Sequence, residues 1–124
     1  MVLSYYRLLY SGDLTNLSKI MTQSSYFLTL ESFGLSLAIR DASFKELLDK
    51  IKDDTSSLKK AESMLSKDLA ARQLSPKIEI VVTEENGVDR KSVHYHEDGQ
   101  KKQLHFSKED GEWKINYFAG RKLT

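Results

Sequence analysis

His94, His96 and His105 are the only histidines of the chain, and imidazole is the side chain best suited to zinc, nickel or copper. His94 and His96 are two residues apart, so on a strand they present both rings to one side. His105 lies diagonal to His94 once the hairpin between them is closed. A metal site would need these three plus a water or a carboxylate, with Glu79 the nearest candidate. The simpler account is that all three are solvated residues on the outer face of a sheet. That account is preferred, so no metal and no cofactor is expected. A second cluster is aromatic: Tyr5, Tyr6, Tyr95, Trp113 and Tyr117 could ring a pocket, their polar tips fixing a small apolar ligand. Against it stands ordinary core, with the hydroxyls reaching water at a rim. Asp13 is a third candidate, an acid that capping of a helix explains in full.

The chain has 124 residues and a net charge of +1, with 40% apolar and 30% charged residues. That balance suits a single soluble domain spanning 1–124 and gives no electrostatic case for nucleic acid or an anionic membrane. Lys59-Lys60 and Lys101-Lys102 lack aromatic stacking partners. Absence of cysteine excludes disulfides, thiolate metal sites and a cysteine nucleophile, and fits a cytoplasmic location. No phosphate-cradling glycine loop, nucleophile elbow or spaced carboxylate pair is present.

The elements that would position these residues fall into two halves, helices over about 1–73 and a sheet over about 77–119. Leu3, Tyr6, Leu9 and Tyr10 share a helical face that ends at Ser11-Gly12. Asp13 then caps a short helix carrying Leu14, Leu17, Ile20 and Met21 inward. Thr22 starts a third helix, with Tyr26, Leu30, Phe33 and Leu37 on its face and Gly34 marking a kink or close approach. Over 41–73 the chain is charged and amphipathic. Ser43 to Glu46 reads as a capping box, and a break is expected near 53–57. Pro76 forbids further helix.

Asn86-Gly87, Asp98-Gly99 and Asp110-Gly111, twelve residues apart, each supply the positive φ of a two-residue hairpin turn. They define a four-stranded antiparallel meander. Counting outward places Ile80 opposite Val93, Ile78 opposite Tyr95, Tyr95 opposite Lys102, Val93 opposite Leu104, Phe106 opposite Ile115 and Leu104 opposite Tyr117. One face then collects Ile78, Ile80, Val82, Val93, Tyr95, Leu104, Phe106, Trp113, Ile115 and Tyr117, with no acid or histidine among them. The helices must pack on that face, giving an α+β fold with a curved, cone-shaped, barrel-like sheet. Val81 and Phe118 stand as apolar residues on the polar outer face, the candidates for a homodimer interface.

Two segments resemble a known family. The opening YYRLLYSGDLTNLSKIM (5–21) and the closing KEDGEWKINYF (108–118) are similar to the first two helices and last hairpin of the nuclear-transport-factor-2-like, or cystatin-like, superfamily, here a small bacterial-type single-domain member. The stretch 41–73 is longer and more charged than that family's third helix. The resemblance implies a cone between helices and sheet. It also implies a choice between non-catalytic binding of a small ligand or protein partner and isomerase- or hydrolase-like chemistry. Because no inward strand position is acidic, the non-catalytic role is expected.

Overall fold

The structure, a computed structural model, describes residues 2–119. Five helices precede four strands: α1 (Val2–Ser11), α2 (Leu14–Lys19), α3 (Gln23–Arg40), α4 (Ala42–Leu48), α5 (Thr55–Arg72), β1 (Ile78–Glu85), β2 (Arg90–Glu97), β3 (Gln100–Glu109) and β4 (Glu112–Ile115). The strands form one antiparallel sheet in the order β1-β2-β3-β4. It is an α+β fold as expected, but the sheet stays open and does not close towards a barrel.

Local chemistry sets most boundaries. Gly12, at φ +78°, ends α1, and the Asp13 carboxylate accepts the Asn16 amide at the start of α2. Thr22 caps α3 by accepting from the Ser25 amide. Gly34 does mark a close approach: a Cβ there would stand 2.9 Å from the ring of Phe44, itself fully buried. For α4 the cap is two residues earlier than the capping box implied. Asp41 accepts from the amides of Ser43 and Phe44, and Ser43 lies inside the helix donating its hydroxyl to the same carboxylate. A carboxylate outcompetes a hydroxyl as acceptor there, because it takes three donors at once. The break between α4 and α5 lies at residues 49–54, earlier than the 53–57 expected, because Asp54 caps α5 and Thr55 to Ser57 already form its first turn.

Val2, Tyr5, Tyr6 and Leu9 of α1 join Leu17, Leu30, Phe44, Leu65 and Leu69 and the sheet residues Val93, Tyr95, Leu104, Phe106 and Ile115 in one core. Leu3, expected on the inner face, is 60% exposed. Two consecutive buried tyrosines turn α1 about its axis and carry Leu3 outward.

Two of the three turns are as read. Asp98 and Gly99 (φ 49° and 84°) and Asp110 and Gly111 (φ 51° and 82°) both have the positive dihedrals of the two-residue hairpin, and β2–β3 and β3–β4 pair as counted. Asn86-Gly87 departs from this. The loop takes four residues, closed by the Asn86 amide on the Arg90 carbonyl at 2.9 Å, while the Asp89 carbonyl accepts from Lys108 of β3. With the longer loop the pairing of β1 with β2 starts at Glu85 opposite Lys91. Ile80 consequently faces Tyr95 rather than Val93, and Ile78 faces Glu97 rather than Tyr95. A bulge between Ile80 and Val82 then throws Val82 onto the outer face, opposite His94. Tyr117 does not face Leu104 either, since β4 ends at Ile115 and the Tyr117 amide leaves the sheet to donate to Ser25 Oγ at 3.0 Å.

Candidate functional site

Four of the five aromatic candidates meet between α1 and the sheet. The Tyr5 hydroxyl is 2.8 Å from that of Tyr117, which is 2.7 Å from Thr29 Oγ1. The Tyr6 hydroxyl is 2.7 Å from that of Tyr95. Tyr5 and Tyr6 meet edge to face, and so do Tyr6 and Tyr95. Burial, above all, pushes all four phenols up from their ordinary range, so they are neutral at any working pH. Each hydroxyl is spent on another, and Tyr5, Tyr6 and Tyr95 are buried. The cluster fills the space that a ligand would need. Trp113 stands apart, at the far end of the sheet, with Lys91 Nζ 4.4 Å and Lys108 Nζ 5.6 Å from its ring centre.

An acid borders this cluster, contrary to the sequence reading. Glu97 lies two residues beyond Tyr95 on the same strand face, opposite Ile78, and is partly buried. Its carboxylate, after burial, helps hold the Tyr6 phenol neutral. The signal was the strand alternation itself, carried one step further towards the turn. A cleft of about 390 Å³ opens nearby between α1 and residues 74–78, lined by Leu3, Tyr6, Arg7, Tyr10, Leu74 and Pro76 among others. It takes in Tyr6 but not Tyr5, Tyr95, Trp113 or Tyr117.

On the outer face the histidines take the predicted diagonal arrangement without forming a ligand set. His105 Nδ1 is 2.7 Å from Ser92 Oγ. His94 Nε2 stands 3.4 Å from Glu84 Oε2 and, among the described residues, has no hydrogen-bond partner. His96 is paired with Glu79 and Lys101. Among the described residues no group of three or more His, Cys, Asp or Glu could hold a metal ion. The serine–histidine contact is no nucleophile pair presented to a substrate, because Ser92 is only 5% exposed. Asp13 serves as a cap, its carboxyl held below the usual range by the side chain and amide of Asn16.

Exposed apolar side chains are scattered over α1, α3 and the loops, Leu3, Leu35, Ile39, Leu74 and Val88 among them, and three consecutive ones stand at one sheet edge. Only Ile78 of β1 is partly buried, while Ile80, Val81 and Val82 are 49%, 58% and 51% exposed. Val81 is the bulged residue without a partner on β2. Phe118, expected on the outer sheet face beside it, lies past the end of β4 and lines a cleft with Phe27 and Leu28 of α3. No helix among the described residues is long and apolar enough to cross a membrane.

Compared with protein-family models, curated proteins and solved structures, the chain matches none.

Proposed function

We propose that this chain is a non-catalytic binding domain of the nuclear-transport-factor-2-like type, and that it takes a protein partner through the free edge of β1 rather than a small ligand in a cone. The observation that carries the reading is a displacement of apolar surface. The interior is filled by tyrosines hydrogen-bonded to each other, whereas three consecutive β-branched residues, Ile80, Val81 and Val82, stand in solvent on an edge strand. An edge strand presents unpaired backbone groups that template pairing with another chain, and the bulge and the glutamates of β1 restrict that pairing to a partner of matching faces and charge. The cysteine-free composition keeps a cytoplasmic location as part of the proposal.

The isomerase- or hydrolase-like alternative has one observation in its favour, the Glu97 carboxylate close to Tyr6, each lining one of two adjoining clefts that share Tyr10, Leu74, Ser75 and Pro76. The Tyr6 hydroxyl, however, is turned to Tyr95 and not to the opening. Native mass spectrometry of the protein purified from its own host at neutral pH separates the two. The expected species is a protein–protein complex that Val82→Lys dissociates. A small molecule retained by the monomer, and lost on Glu97→Gln, overturns the protein-binding reading.

A further inference from the structure

The free edge of β1 also states what its partner must look like. Glu79, Val82 and Glu84 lie on the outer face, opposite His96, His94 and Ser92 of β2, while Ile80 and Thr83 lie on the inner face, opposite Tyr95 and Val93. Because of the bulge, the span from Glu79 to Glu84 counts as an even step in face alternation. A regular strand matching those faces covers it in five residues, as Ser92 to His96 of β2 does. The residues it sets against the two glutamates are therefore four apart and on the same face. The three glutamates Glu79, Glu84 and Glu85 are exposed; among the described residues Lys77 sits 3.2 Å from Glu79 in a solvent-exposed pair of little strength, and the His94 ring of β2 lies 3.4 Å from Glu84.

Resting on the protein-binding reading above, we infer that the β1 edge takes, by antiparallel strand addition, an extended segment with basic residues at positions one and five and apolar residues at three and four. Position one meets Glu84 and position five meets Glu79. Between them, position three packs on Val82 and position four on Ile80. Main-chain hydrogen bonds hold such a strand, and the cross-strand pairs select it. A second copy of β1 fits poorly in its longest face-matched register. In the face-matched two-fold register, which sets Ile80 against Thr83, Glu79 of each copy falls opposite Glu84 of the other, and like charges directly opposed repel.

The test uses the whole chain and three synthetic peptides with the cores Lys-Thr-Val-Ile-Lys, Gln-Thr-Val-Ile-Gln and Glu-Thr-Val-Ile-Glu, read by amide chemical shifts. The basic peptide is expected to bind more tightly than the neutral one by about two- to thirtyfold, the range that two exposed opposite-charge cross-strand pairs allow, with shifts centred on 79–84. In the variant Glu79→Lys/Glu84→Lys the preference is expected to invert, the acidic peptide binding best. Equal binding of all three peptides at β1 overturns the inferred partner chemistry but leaves strand addition standing. Absence of binding by any of them, or shifts mapping away from β1, overturns both. Because the chain has no cysteine, Val81→Cys gives a second check. Ready formation of a disulfide-linked dimer through that residue would show β1 pairing with itself, and would overturn the case against a second copy.

Discussion

The two edges of the sheet are finished in opposite ways. At β4 the connection between α2 and α3 lies along the strand as a short parallel bridge. Ile115 donates its amide to the Ile20 carbonyl at 2.7 Å and accepts from the Thr22 amide at 2.9 Å. Ile115 is fully buried, and the chain beyond it is tied to α3 through Tyr117 and Ser25. At β1, among the described residues, no backbone segment covers the outer side, and the strand projects past the helices with both faces wet. One edge is thus part of the core and the other is surface, although β1 has more β-branched residues than β4. An apolar strand sequence says that burial is wanted. Whether the chain itself supplies the cover is decided by what the fold brings alongside.

The largest expected effect breaks this comparison directly. Ile115→Ala removes a fully buried side chain and is expected to cost about 2–5 kcal/mol in urea unfolding. Ile80→Ala removes a half-exposed one and is expected to change the isolated chain by no more than about 0.5 kcal/mol. Comparable losses would mean that β1 is packed in solution, and the contrast between the edges would fail.

Ser25→Ala sharpens the same contrast at smaller scale. Its hydroxyl, fully buried, accepts the Tyr117 amide and the Thr22 hydroxyl, which together lock the end of β4 to the start of α3. Removing it strands both donors, so a loss of about 1–3 kcal/mol is expected, together with faster amide exchange at Tyr117 than at Phe106. An unchanged urea midpoint would show that the β4 seal rests on the Ile20 and Thr22 bonds alone.

Those bonds explain what was legible beforehand and what was not. Asp98-Gly99 and Asp110-Gly111 could be read because both turn residues are set by local dihedral preference. Asn86-Gly87 carries the same preference, yet the loop there takes four residues, closed by the Asn86 amide on the Arg90 carbonyl, and no local pattern reports that. Asp13 and Thr22 were readable as caps for the same local reason, while Asp41 and Ser43 are both competent caps two residues apart. The meeting of Tyr6 and Tyr95 followed from helical and strand periods, whereas Tyr5 is off the helical face that was read and Tyr117 joins from beyond the end of β4. That they fill their space rather than surround it is a matter of volume, and spacing carries no volume. Glu97 was within reach of the alternation rule but sat beside a turn. The bulge at Val81 was out of reach, and with it the placement of Val82.

Between the two edges lies His105, in the middle of the outer face, where the smallest effect is expected. Its Nδ1 meets Ser92 of β2, and its carbonyl accepts the Asn116 amide just past β4, so it joins both halves of the sheet. Burial first, and the neighbouring His94 second, lower its basicity below the ordinary value of 6.5. A histidine lowered in the folded state favours the fold only while it is neutral. That contribution is fully present above about pH 6.5 and is lost as the pH falls, because the unfolded chain then binds a proton that the folded one resists. His105→Gln keeps a hydrogen-bonding partner for Ser92 and cannot titrate. Its urea midpoint is expected to fall less between pH 7.5 and 5.5 than that of the unmodified chain, while the two differ little at pH 7.5. Parallel pH profiles would mean that the ring takes up its proton as readily in the sheet as in water. The centre of the outer face would then be as open as the β1 edge, and burial on that face would no longer grade from one side of the sheet to the other.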